Sequence, residues 1–325
     1  MKMPKHLITA TLAGALAAAF AMDIQSAQAP AAPAAAARVP VKQKTFASAE
    51  DAEKALVDAV RASDVDGLLA VVGPGSSPWL FSGDKVADAN DWKKFLASYD
   101  EKHSLEKQGE NKMILNVGKD DWPFPAPIVK SGKHWRFDTE AGREEILKRR
   151  VGRNELDTIQ TLLAVVDAQR EYSRSDADGT GFPDYARRFI SSKGKKDGLY
   201  WPQEEGKPAS PLGPLVADAA SEGYAKQPKA GRPTAPFHGY YFRMLTSQGK
   251  DAPGGAYDYI VGTRMMGGFG VVAYPASYRV SGVMTFVVNQ DGVVYEKDLG
   301  AQTAAIAGTM TRFNPDATWR KSEPK

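Results

Sequence analysis

The chain has 325 residues, 42% hydrophobic and 25% charged, which is the balance of a soluble globular protein. Lys and Arg number 42 against 39 Asp and Glu, so a net charge of +3 gives no global field for holding nucleic acid. Cysteine is absent, which excludes disulfides, thiolate nucleophiles, iron–sulfur clusters and sulfur-ligated zinc, and four histidines leave little for a histidine-rich metal site.

Lys2 and Lys5 precede an uncharged apolar run over residues 7–22. A membrane span needs about 20 apolar residues, so this shorter run fits the core of a secretory signal. Ala27-Gln28-Ala29 supplies a small-x-small cleavage text, while Pro30 behind it makes Ala21 or the later alanines competing positions. The expectation is a signal peptide at 1–29, a periplasmic or secreted mature chain, and no stable transmembrane span. Residues 30–44 are rich in Ala and Pro and read as a tether with no core of their own.

The folded body is expected from residue 45. Ser48 and Asp51 form a capping pair, and Ala52, Leu56, Ala59 and Val60 follow at helical spacing. Leu68 to Val72 continue the apolar pattern up to Gly73-Pro74-Gly75. A second helix is expected over residues 91–100, from Trp92, Phe95, Leu96 and Tyr99. Residues 113–117, 128–130 and 134–138 read as strands, with Ser131-Gly132 as a hairpin turn. Helical periodicity returns over 141–150 and breaks at Gly152, where Asn154 and Asp157 can cap a new helix running to about Tyr172. Arg149, Arg150 and Arg153 cluster at that junction, either as a solvated helix end or carboxylate-paired hinge, or as a phosphate or polymer contact. Residues 197–236 read as a Gly- and Pro-rich wrap with a short helix over 215–220. Beyond them, 240–246, 257–261, 269–274, 283–289 and 293–297 read as strands, the last two joined through Asp291-Gly292. The fold class is therefore α+β in two domains: residues 45–152, with helices on a curved antiparallel sheet, and residues 153–325, with a long helix on an antiparallel sheet.

Three segments could carry chemistry. Asp176, Asp178, Thr180 and Asp184 alternate around Gly181 as calcium ligands do, yet the twelfth position is Arg187, where an EF-hand needs a bidentate Glu. The competing reading is an ordinary Asx turn. Asp120 and Asp121 stand before Trp122-Pro123-Phe124-Pro125, and a carboxylate beside a ring can work as an acid. Being adjacent, they point to opposite faces of an extended chain. With His134 they are the catalytic candidates, against a reading as loop and strand residues. The aromatics of residues 197–202 and 238–242 could form a carbohydrate or peptide groove, or simply pack in a core. Nothing matches a phosphate loop, a dinucleotide fingerprint or a nucleophile elbow.

The texts KDDWPFPAPIVKSGKHWRFDTEAGREEILKRRVGRNELD, VDAQREYSRSDADG, DGLYWP, GYYFRMLT and GGFGVVAYPASYRVSGVMTFVVNQDGVVYEKDLG together resemble the exported bacterial family called domain of unknown function 2950. The resemblance spans about residues 44–319 and implies no established activity. In pattern, the first region is similar to the cone-shaped NTF2-like fold. The second resembles the soluble part of type IV pilin-like proteins, through Ala168-Gln169, Tyr172, the Asp176 loop and the Asp291-Gly292 hairpin. Its helix is internal and lacks a pilin's leading apolar segment, so pilin-like polymerisation is not implied. The functional expectation is a non-catalytic binding or assembly module of the envelope, with a protein or glycan partner and no cofactor beyond a possible calcium. The alternative is a hydrolase or lyase acting on an envelope polymer through an aromatic-lined pocket in the first region.

Overall fold

Side-chain caps start most of the helices that shape the first half of the molecule. Ser48 accepts from the Asp51 amide at the head of α1 (Ala49–Arg61), and Asp64 accepts from Gly67 at the head of α2 (Val65–Val72). After the short α3 (Ser77–Leu80), Asp84 accepts from the amides of Val86 and Ala87 and opens α4 (Lys85–Glu101). Each such cap is worth about 1 kcal/mol. The start expected at residue 91 was too late because the cap sits at Asp84, ahead of the apolar stripe. The computed structural model describes residues 42–176, 179, 181–224 and 235–322. The export signal at 1–29, the tether up to residue 41, Asp178 and Thr180 lie outside these residues.

Behind α4 the chain forms an antiparallel sheet of β1 (His103–Lys107), β2 (Lys112–Val117), β3 (Trp122–Pro123), β4 (Ile128–Ser131) and β5 (His134–Phe137). The order is β1-β2-β4-β5, with β3 on β2. No alternation announced β1, because almost every one of its side chains is exposed. Ser131 pairs with His134, so the turn residues are Gly132 and Lys133, one step beyond the expected pair. Leu56, Trp79, Leu115, Ile128 and Phe137 are fully buried between this sheet and the helices.

Next comes α5 (Thr139–Ser175), 37 residues without interruption. The break expected at Gly152 does not occur. Glycine costs a helix about 1 kcal/mol, which tertiary contacts override here. Asn154, the expected cap, instead donates from within the helix to the Ser281 carbonyl at 2.8 Å. Glu155 Oε1 accepts from the amides of Val283 and Met284 at 2.9 and 3.0 Å. These residues dock on the second sheet, so no capping work is left for them.

After α5, α6 (Gly213–Ser221) fits the expected short helix. The second sheet holds β6 (Tyr240–Leu245), β7 (Gly270–Pro275), β8 (Met284–Asn289), β9 (Tyr295–Asp298) and β10 (Arg320–Lys321). They are antiparallel neighbours in chain order, and α7 (Thr303–Thr309) lies between the last two in sequence. The expected strand over 257–261 divides into Tyr257–Asp258 and Ile260–Val261, which serve different small sheets. Ile159, Leu162, Val165 and Val166 of α5 join Tyr240, Val271, Phe286 and Val288 in a second core. Gln169, fully buried, exchanges two 2.8 Å hydrogen bonds with the backbone of Ala186 and so fixes the chain that leaves α5.

Helices with antiparallel sheets make the molecule α+β, and residues 40–325 form one compact unit holding two hydrophobic clusters. Among the described residues, no helix is long and apolar enough to cross a membrane.

Candidate ligand pocket

On α4, Asp88, Asp91, Trp92 and Phe95 recur at intervals of three and four residues and share one face. On α5, Ile146, Arg149, Arg150 and Arg153 do the same. These two faces, with Trp79 of α3 and the Trp122 to Pro125 segment, line a cavity of about 300 Å³. That volume sits at the small end of ligand-binding pockets. Phe95 meets Trp92 edge-on, with ring centroids 6.0 Å apart, and leans on Phe124 at 5.4 Å.

The three arginines have three different environments. Arg149 donates to Glu145 at 2.7 Å and to the Pro123 carbonyl at 3.1 Å, and its guanidinium lies 4.9 Å from the centre of the Trp122 ring. Arg153 makes a two-pronged contact with Asp91 at 3.2 and 2.8 Å. Arg150 is buried, and its nearest carboxylate, Asp88, stands 4.0 Å from Nη2. Asp88 in turn accepts from the Ser82 amide at 3.0 Å and the Ser82 hydroxyl at 2.7 Å. Burial raises the Asp88 carboxyl above its ordinary range, outweighing Ser82 and Arg150, which pull it down. Burial likewise lowers the Arg150 guanidinium, against the opposing pull of Asp88 and Asp91.

Two buried donors of lining residues, Arg150 Nη1 and Trp79 Nε1, have no hydrogen-bond acceptor among the described residues. A buried donor left unmade costs about 1–3 kcal/mol, and more when it is charged. The lining thus combines aromatic rings with charges of both signs.

The expected catalytic residues do not line it. Asp121, at φ 48°, pairs with Lys102 at 2.7 and 2.8 Å and is half exposed. Asp120 and His134 are exposed, His134 at the tip of the β4–β5 hairpin. The structure brings none of the three together. Their segment nevertheless reaches the pocket, through Trp122, Phe124 and Pro125. Of the calcium candidates, Asp176 ends α5 in a left-handed conformation and accepts from the Gly181 amide at 2.9 Å. Asp184 lies 3.0 Å from Arg264. Among the described residues, no group of three or more His, Asp or Glu is placed to hold a metal. Leu199, Trp201 and Tyr240 of the aromatic segments are buried in the second core.

Sequence reasoning missed Trp79 and Asp88, and named Arg150 only as one of the cluster Arg149, Arg150 and Arg153. The available signal was the mixing of rings and charges on one helix face at 88, 91, 92 and 95, and again at 146, 149, 150 and 153.

Fold and pocket together define an α+β protein with a small, aromatic, arginine-walled cavity. The chain belongs to the family described as "Protein of unknown function (DUF2950)", which matches residues 43–322. Neither the curated proteins nor the solved structures contain a match to it.

Proposed function

We propose that this is an exported, non-catalytic binding module of the cell envelope, with the cavity between α4 and α5 as its ligand site. One observation carries the reading: four charged side chains of the lining, Arg149, Arg153, Asp88 and Asp91, are already held by protein partners. Arg153 is engaged by Asp91, Arg149 by Glu145, and Asp88 by Ser82. A rigid wall of rings and held charges suits recognition, because it loses little freedom when a ligand enters. Export is supported by the charged start, the apolar run and the Ala27-Gln28-Ala29 text. The test is a ligand screen on the purified protein, read by melting temperature and tryptophan fluorescence, with envelope glycans, peptides and small acids as ligands. Saturable binding that Phe95→Ala weakens supports the module.

A second reading, a hydrolase or lyase acting on an envelope polymer, has one specific support. Asp88 has a carboxyl raised by burial, the direction a general acid needs. Turnover of a cell-wall or glycan substrate, abolished by Asp88→Asn, would replace the binding reading with this one.

A further inference from the structure

We infer that the tip formed by Phe182 and the Ile260–Met265 hairpin is a contact surface for a bilayer of anionic phospholipid, on which the folded body rests without crossing it. The inference adds a partner to the proposed envelope location and is independent of the cavity.

Exposure sets the first condition. Phe182 and Val261, 55% and 58% exposed, are the most open large hydrophobic side chains among the described residues. Far apart in sequence, they are brought together by one arginine. Val261 pairs with Arg264 across the two-stranded hairpin of Ile260–Val261 and Arg264–Met265, and cross-strand partners point to the same face. The Arg264 guanidinium in turn lies 5.1 Å from the centre of the Phe182 ring. Behind this face, Met265 is buried in the second core and bridges Tyr185, so the hairpin is anchored to the body. Two open apolar side chains on an anchored tip gain whenever water is taken from them.

Charge sets the second condition. Arg187 donates to the Thr263 carbonyl at 2.9 Å, which places a second guanidinium at the hairpin turn. Of the described acids in the loop that carries Phe182, Asp184 meets Arg264 at 3.0 Å and Asp176 accepts from the Gly181 amide. Residues 185–196 then carry Arg187, Arg188, Lys193, Lys195 and Lys196 and no acid. An anionic leaflet rewards each Lys or Arg near its surface by about fivefold in affinity.

Shape separates a bilayer from a folded partner. A protein would need a pocket matched to two side chains that project from a loop and a turn. Lipid closes around such prongs without a matching shape, and the arginine heads stay among the phosphates while their stems follow the apolar side chains inward.

The experiment uses the chain from residue 30 onward, which holds the whole compact unit, because the apolar run at 7–22 would itself bind lipid. Flotation is measured with vesicles of phosphatidylcholine alone and of phosphatidylcholine mixed equally with phosphatidylglycerol. The protein is expected to float with the mixed vesicles and to be released by high salt. Phe182→Ser combined with Val261→Ser is expected to weaken binding about tenfold, and Arg187→Gln about fivefold. Val65→Ser, at an exposed apolar position on α2 in the other half, is expected to change nothing. Equal binding to both vesicles, binding that the double variant leaves intact, or no binding at all would each overturn the inference. Should the double variant not fold, judged by circular dichroism, Val261→Trp decides instead. Its emission is expected to shift to the blue on mixed vesicles, and an unmoved spectrum would overturn the inference as well.

Discussion

The Tyr224 hydroxyl donates to Oδ2 of Asp84 at 2.7 Å, while Oδ1 of the same carboxylate caps α4 through the amides of Val86 and Ala87. Gly239 adds its amide to Oδ2 at 3.2 Å, and Asp84 itself is only 2% exposed. One buried carboxylate therefore starts the helix that carries half of the pocket and ties it to the chain entering β6. Burial, reinforced by Asp84, pushes the Tyr224 phenol far above its usual pKa. Asp84→Ala removes the cap and strands the other donors, so it is expected to cost about 2–4 kcal/mol in urea unfolding. Tyr224→Phe removes one bond and is expected to cost about 1 kcal/mol. Equal losses from the two variants would contradict the double role.

Two glycines of α5 are expected to respond in opposite directions. A Cβ on Gly142 would stand 2.6 Å from the Ala126 Cβ and 3.0 Å from its Cα, with the Trp79 ring at 3.3 Å. Backbone cannot yield as a side chain does, so Gly142→Ala is expected to destabilise by about 1–3 kcal/mol. Around Gly152 there is open space, and Gly152→Ala in a helix interior is expected to stabilise by about 0.5–1 kcal/mol. Thermal unfolding of both variants decides it. A loss at residue 152 would mean that the helix is strained there.

Asp88 gives stability a pH dependence of definite sign. Burial raises its folded-state pKa above the ordinary 3.8, so the folded protein holds this proton more tightly than the unfolded chain. The resulting stabilisation is fully present below pH 3.8 and is lost as the pH rises through the folded value. Asp88→Asn fixes the neutral form. Its stability relative to the parent is therefore expected to increase as the pH rises towards neutrality, in urea unfolding across a buffer series. Any constant offset from the new amide meeting Ser82 drops out of that comparison. A difference independent of pH would sink the assignment.

Export predicts a shortened chain. Mass spectrometry of the envelope fraction is expected to find a mature N-terminus at or beyond residue 22, with the Ala/Pro tether still attached to the body. Recovery of protein beginning at Met1 in the cytoplasm alone would overturn the location and leave the pocket untouched.

The elements that sequence made legible are those whose pattern is local. Ser48 with Asp51, the β-branched and aromatic run in 284–289, and Asp291-Gly292 announce a helix start, a strand and a hairpin without help from the rest of the chain. The continuity of α5 was not legible, because it depends on Asn154 and Glu155 finding Ser281, Val283 and Met284 more than a hundred residues away. The pocket was half legible. Trp122 and Phe124 stood out, but beside them Asp120 and Asp121 drew attention as chemistry while lying outside the lining. Arg149, Arg150 and Arg153 were seen as a cluster, and pairing with carboxylates was among their expected roles. What separates Arg150 from its neighbours is burial beside Asp88, and no local text encodes that.

At 1.5 Å per residue, the 37 residues of α5 make a rod of about 55 Å. Arg150 walls the cavity and Leu162 is fully buried in the second core, about 18 Å further along the same rod. No hinge lies between them, and the axial hydrogen bonds that would have to break for one to form are intact. A change that shifts the α5 backbone at Arg150 is therefore carried along the rod towards Leu162. Substitutions that move the helix in one half are thus expected to be answered by a change of packing in the other.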